Sequence, residues 1–77
     1  MQDTREELGR RLRQLRIERA LTQAELAVSS GVGKATIARV ESGVVVPQLR
    51  TVRSMATALD VSPQTLTHGL EALWATA

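Results

Sequence analysis

The side chains best suited to chemistry in this sequence are basic, and nine of the ten basic residues are arginines. Six of these arginines fall between positions 5 and 19, and three lie between positions 39 and 53. Arginine ends in a planar fork that donates two parallel hydrogen bonds, which suits phosphate groups and the edge of guanine. The net charge is only +2. Charge alone therefore does not separate a nucleic-acid-binding protein from an ordinary protein with an arginine-rich surface.

Side chains suited to catalysis or metal binding are few. The sequence has no cysteine, and its single histidine, His68, has no carboxylate pair or glycine-rich phosphate loop near it in the chain. No catalytic triad or set of metal ligands can be built around that histidine. Glu41 resembles a general base in isolation, but an ion pair explains it better. We therefore expect no enzyme, no cofactor, no metal and no small-molecule ligand.

Length and composition predict a single domain over residues 1–77. Hydrophobic residues make up 43% of the chain but aromatic ones only 1%, the single Trp74, so the core must be aliphatic. The first 19 residues are charged throughout and contain no apolar leader segment, and no hydrophobic run is long enough to span a membrane. The expectation is a cytoplasmic protein without a membrane partner.

Apolar residues recur at helical spacing in five segments, which glycine or proline signals separate. The predicted helices cover about 4–19, Thr22 to the stop at Gly31, 33–42, 48–59, and a last segment that starts at Ser62-Pro63 with a stripe of Leu66, Leu70 and Leu73. Helices this short need mutual packing to hold. The sequence therefore predicts an all-α fold, a compact five-helix bundle.

Residues 23–42 carry the steric requirements of a helix-turn-helix. Ala27 is small where two helices would approach, Gly31 permits a left-handed turn, and Val32 fills the angle between the helices. Leu26, Ile37 and Val40 would anchor both helices to the core. This pattern predicts a helix-turn-helix at about 22–42.

These residues also carry a family resemblance. The run from Leu21 to Ala27, then Gly31-Val32, Thr36-Ile37, Glu41-Ser42-Gly43 and Pro47, resembles the Cro/phage-repressor type (XRE-like) helix-turn-helix family, as does the later stretch 58–63. The resemblance covers about residues 5–73. It implies a lambda-repressor-like DNA-binding domain whose third helix enters the major groove.

Helical geometry sorts the third helix once Ile37 and Val40 are turned inward. The outward residues are then Lys34, Ala35, Ala38, Arg39 and Ser42. We predict base contacts from Lys34, Ala35, Ala38 and Arg39, with the Arg39 fork suited to guanine and the alanines to thymine methyl groups. The alternative for Arg39 is a solvated or internally paired side chain.

The predicted phosphate contacts flank that helix. They are Thr22 and Gln23 at the start of the second helix, Ser42 at the end of the third, and Gln48 and Arg50 at the start of the fourth. For Thr22, simple helix capping is an equal alternative. The chain departs from many family members at Gly33, where a serine or threonine is common, and at the three valines 44–46, which replace a polar loop and remove side-chain charge there.

The resemblance further implies an ion pair between Arg16 and Glu41 that ties the first helix to the third. One recognition helix reads too few base pairs to find a site in a genome, so we also expect a homodimer on two half-sites. The predicted interface is Trp74, Leu70 and Val61. The alternative is that Trp74 folds back over the first helix of its own chain.

The function expected from the sequence is a sequence-specific regulator of transcription that binds double-stranded DNA. The alternative is a protein-interaction module with the same fold, such as an antitoxin or adaptor. Binding to generic duplex DNA that weakens steeply with salt separates the two, since a protein partner would not release phosphate counterions.

Overall fold

The computed structural model describes residues 4–75, which form five α-helices and a short 3₁₀ helix and contain no strand. The helices are α1 (Thr4–Glu18), α2 (Gln23–Ser30), α3 (Lys34–Glu41), α4 (Leu49–Ala58), α5 (Gln64–Thr67) and the 3₁₀ helix Glu71–Trp74. The predicted all-α five-helix fold is confirmed. No helix in this part of the chain is long and apolar enough to cross a membrane.

The core is aliphatic and draws on every α-helix. Its buried members are Leu8, Leu12, Leu26, Ile37, Val40, Val52, Met55, Ala56, Leu59, Leu66 and Leu70. No polar or charged residue within 4–75 is buried as a whole residue. Leu49 is 48% exposed, because it occupies the first position of α4, outside the packed turns.

The last segment differs from the single helix that the leucine stripe predicts. α5 is one turn long, Gly69 adopts a left-handed φ of +80°, and the chain resumes as the 3₁₀ helix. Arg11 of α1 explains the break, because its Nη1 donates to the carbonyl oxygens of Leu66 (3.0 Å) and His68 (2.7 Å). A distant side chain thus satisfies carbonyl groups that a continuing helix would have used.

Arg11 is itself held in place by Glu7. The Glu7 carboxylate accepts hydrogen bonds from Arg10 (2.6 Å) and Arg11 (2.9 Å). These two guanidinium groups, Arg10 more than Arg11, lower the pKa of Glu7 from 4.5 to about 2. The carboxylate therefore stays ionised in the folded protein well below the pH at which it would protonate in an unfolded chain.

Gly9 lets α1 approach the end of α3 very closely. A Cβ atom at this position would lie 2.4 Å from the carbonyl oxygen of Val40 and 2.6 Å from that of Glu41. Both neighbours are backbone atoms, so a flexible side chain cannot move aside to make room. The sequence pattern did not indicate this requirement for glycine in the middle of α1.

Candidate nucleic-acid interface

The start of α2 is fixed by a reciprocal cap. The Thr22 hydroxyl accepts the backbone N–H of Glu25 (3.0 Å), and the Glu25 carboxylate accepts the backbone N–H of Thr22 (2.8 Å). The Thr22 N–H, followed by the Thr22 hydroxyl, lowers the pKa of Glu25. Because the Thr22 hydroxyl serves the cap as an acceptor, its own proton remains available to a phosphate oxygen.

The turn between α2 and α3 has the predicted geometry. Gly31 has a left-handed φ of +72° and donates its N–H to the carbonyl of Ala27 at 2.9 Å. Ser30 adds a hydrogen bond from the Val32 N–H to its hydroxyl at 3.2 Å. α3 then starts after Gly33, which provides no side-chain cap. Leu26, Ile37 and Val40 are fully buried, as predicted, and they hold the two helices against the core.

The outward face of α3 is low in profile with a basic residue toward each end. Ile37 and Val40 point into the core, whereas Lys34, Ala35, Arg39 and Ser42 are exposed and Ala38 is half-buried. The side chains of Lys34 and Arg39 have no hydrogen bond or ion pair with any residue of the described chain. Ser42, predicted as a phosphate contact, donates its hydroxyl to the carbonyl of Arg39 at 3.1 Å.

A buried polar network fixes the position of α3 relative to α1 and α2. Arg16 donates from Nε and Nη2 to the two carboxylate oxygens of Glu41, at 2.7 and 2.9 Å, and from Nη1 to the carbonyl of Leu21 at 2.7 Å. Gln23 adds a bond from Nε2 to Glu41 Oε1 at 3.1 Å. The side chains of Arg16 and Glu41 are only 11% and 5% exposed. The predicted ion pair is therefore present, and the hydrogen bond to Glu41 raises the pKa of Arg16.

Gln23 therefore has a structural role, because it helps to hold Glu41 in place. One of its amide N–H groups is committed to Glu41, which leaves the second N–H free to donate to an anion. The residue lies at the N-terminus of α2, where backbone N–H groups lack partners within the helix.

The start of α4 lies near the start of α3. Gln48 precedes the helix and makes no side-chain cap, but its amide oxygen accepts Arg50 Nε at 2.8 Å. Both side chains are exposed. Arg50 lines a shallow groove together with Gly33 and Thr36, so this residue lies beside the N-terminal end of α3.

The three residues predicted for a dimer interface lie in different environments. Leu70 is only 5% exposed and belongs to the core, so it has almost no surface left for a partner. Val61 and Trp74 are half-buried against the core. The indole N–H of Trp74 donates to the carbonyl of Pro47 at 2.8 Å. Trp74 thus folds back onto its own chain, but at the loop before α4.

Within 4–75 there is no group of three or more histidine, cysteine or acidic side chains close enough to hold a metal ion. His68 is exposed, and its carbonyl is bound by Arg11. The Glu41 carboxylate is occupied by Arg16 and Gln23.

The fold and this interface define a helix-turn-helix domain of the kind found in regulators of transcription. A family model described as a helix-turn-helix domain matches residues 7–69. The chain therefore belongs to the helix-turn-helix domain family.

Individual proteins agree with this assignment. The chain is 46% identical over 57 residues to the HTH-type transcriptional repressor RghR of Bacillus subtilis (strain 168), covering 73% of this chain and 42% of that protein. The structure resembles the restriction-modification controller protein C.AhdI from Aeromonas hydrophila, with a TM-score of 0.78, 37% identity, and coverage of 80% of this chain and 94% of that one. It also resembles an HTH_3 family transcriptional regulator from Vibrio cholerae, with a TM-score of 0.78, 25% identity, and coverage of 94% and 40%.

Proposed function

We propose that this chain is a sequence-specific regulator of transcription that inserts α3 into the major groove of double-stranded DNA and binds as a homodimer to a two-fold operator. The observation that carries the proposal is the outward face of α3, where the side chains of Lys34 and Arg39 are exposed and make no hydrogen bond or ion pair with other described residues. Such a regulator would act in the cytoplasm, on the DNA itself.

The shape of α3 suits the groove. The major groove of B-DNA is about 12 Å wide, and an α-helix with its side chains is about 10–12 Å across, so a close fit requires short side chains on the inserted face. Ala35 and Ala38 are short and can approach thymine methyl groups. Arg39 then has the length and the two donors needed to bind O6 and N7 of guanine.

Phosphate contacts on both sides of α3 would orient it. At the start of α2, the Thr22 hydroxyl proton and the second Gln23 amide N–H are available. At the start of α4, Gln48 and Arg50 are exposed beside the N-terminal end of α3. These contacts fix the register of the protein on the duplex without reading its sequence.

A second copy is required for specificity, since one recognition helix reads only a few base pairs. We propose that the dimer surface includes Val61 and Trp74. Val46 and Leu49, which are 37% and 48% exposed, extend this surface because they lie one residue before and two residues after Pro47, whose carbonyl Trp74 binds. Leu70 supports the surface from within the core.

The relatives favour DNA regulation over the adaptor alternative, because their names are those of a repressor, a controller protein and a transcriptional regulator. The exposed basic side chains of α3 point the same way, since an adaptor surface would be expected to be apolar. Steep weakening of duplex binding with added salt would support DNA regulation, and a flat response would favour a protein partner.

Two arginine variants test the proposed roles. Arg39→Ala should weaken binding at the preferred site by about 1–3 kcal/mol, or roughly 5- to 150-fold, and relax the preference at one base pair. Arg50→Ala, the matched control, should weaken binding equally on all duplexes and lower the salt dependence. Titration of both variants against the preferred duplex and a scrambled one measures this. Equal loss on both duplexes for Arg39→Ala would refute its assignment as a base contact.

A further inference from the structure

A polar recess lies between α1 and the recognition face of α3. It is lined by Arg13, Arg16, Gln23, Ala38, Glu41 and Ser42. Ala38 and Ser42 belong to the face of α3 that would enter DNA, whereas Arg13 comes from the outer side of α1. The recess therefore adjoins the proposed DNA surface, on a side that the sequence pattern did not identify.

The charges in this recess do not balance. Two guanidinium groups and one carboxylate line it, and the Glu41 carboxylate already accepts two hydrogen bonds from Arg16 and one from Gln23. Arg13 thus cannot replace Arg16 at Glu41 without breaking the network that braces α3. One positive charge is left over.

Arg13 differs in this respect from its neighbours on α1. Arg10 is bound by Glu7 and Gln14, and Arg11 is bound by Glu7 and by two carbonyl groups near α5. Arg16 is bound by Glu41. Arg13 is exposed and has no hydrogen bond or ion pair with any residue in 4–75. The Arg13 side chain is therefore available to bind an external anion beside the proposed DNA surface.

We propose that Arg13 is a further DNA contact, which binds a backbone phosphate at the edge of the groove that α3 enters. This inference rests on the proposed function. A helix about as wide as the groove brings the sugar-phosphate backbone against its flanks. The flank formed by Ala38 and Ser42 faces the recess, so the guanidinium of Arg13 can bind a phosphate there bidentately, next to Gln23.

The test is the salt dependence of binding by Arg13→Ala. Each phosphate contact contributes about 0.9 to the slope of log K against log salt. Losing one contact should reduce that slope by about 0.9, so the affinity ratio of parent to variant should shrink about 3.5-fold between 50 and 200 mM salt. The effect should be the same on a preferred and a scrambled duplex, because a phosphate contact carries no sequence information.

Two controls isolate the contact from simple loss of charge. Arg10→Ala removes the same charge one turn away on α1, where the guanidinium is committed to Glu7, and should keep the parental slope. Arg13→Lys keeps a positive charge and should restore most of the slope. Circular dichroism should show that all three variants fold as the parent does, since both side chains are exposed.

The outcomes separate this inference from the proposed function. If the parent shows a steep slope of log K against log salt and Arg13→Ala shows the same slope, the Arg13 contact is wrong and the proposed function is unaffected. A loss confined to the preferred duplex would also overturn it, because it would indicate base recognition. If the parent itself binds duplex DNA without any salt dependence, the proposed function fails and the Arg13 contact fails with it.

Discussion

Replacing Glu41 by glutamine should destabilise the fold, because it breaks the buried ion pair with Arg16. The substitution keeps the size of the side chain but leaves the Arg16 guanidinium without a carboxylate, in a site where the Arg16 side chain is only 11% exposed. Breaking a buried pair from one side costs about 3–5 kcal/mol. Arg16 keeps its bond to the Leu21 carbonyl, so we expect the lower end, about 3 kcal/mol.

That loss is large for a domain of this size. At about 0.05–0.15 kcal/mol per residue, 77 residues give a total stability of roughly 4–12 kcal/mol. In a domain of 60–100 residues each kcal/mol shifts Tm by about 4–8 °C, so Glu41→Gln should lower Tm by about 12–24 °C. Urea unfolding followed by circular dichroism measures the change in free energy directly.

The matched control is Glu18→Gln. Glu18 is 53% exposed and lies 3.8 Å from Arg19, so its removal should cost less than about 1 kcal/mol. Replacing Arg16 by methionine together with Glu41→Leu should recover much of the stability, because an apolar pair leaves no uncompensated charge. If Glu41→Gln unfolds at the same urea midpoint as Glu18→Gln, the network does not brace α3 and this reasoning is wrong.

Three further predictions concern the packing, the pH response and the proposed dimer. Gly9→Ala should destabilise the protein by about 1–3 kcal/mol or more, because the new Cβ meets backbone carbonyls of α3 and this outweighs a helix-propensity gain of about 0.5–1 kcal/mol. Gly33→Ala, with its nearest atom 3.9 Å away, should change stability by less than about 1 kcal/mol in the same unfolding assay. As the pH falls from 4.5 to about 2, the urea midpoint should fall as Glu7 protonates in the unfolded chain first; an equally steep fall in Glu7→Gln would refute this. Trp74→Ala should shift the sedimentation of the protein from dimer to monomer, and an unchanged dimer would remove Trp74 from the interface.

The features that local steric rules govern were predictable from the sequence. The cap at Thr22, the left-handed Gly31 and the buried positions of Leu26, Ile37 and Val40 all follow from short-range spacing. They define the helix-turn-helix because its two helices and turn are contiguous in the chain.

The features that depend on distant contacts were not predictable. The leucine spacing after Ser62 favours one helix, but Arg11 captures two carbonyl groups 55 and 57 residues away and helps end it early. The need for Gly9 depends on the approach of α1 to α3, which no pattern within α1 reveals. Arg13 differs from its neighbouring arginines only in the folded chain, where Arg10, Arg11 and Arg16 are bound by other groups.

Selection of bound sequences from a random pool of duplex DNA tests the central claim most directly. The proposed function predicts strong enrichment of a site with two inverted half-sites, their centres about 10–10.5 base pairs or a multiple of that apart. It also predicts that guanine at one position of each half-site loses enrichment when Arg39→Ala is used in the selection. A pool that emerges without sequence enrichment would contradict sequence-specific DNA binding by this chain.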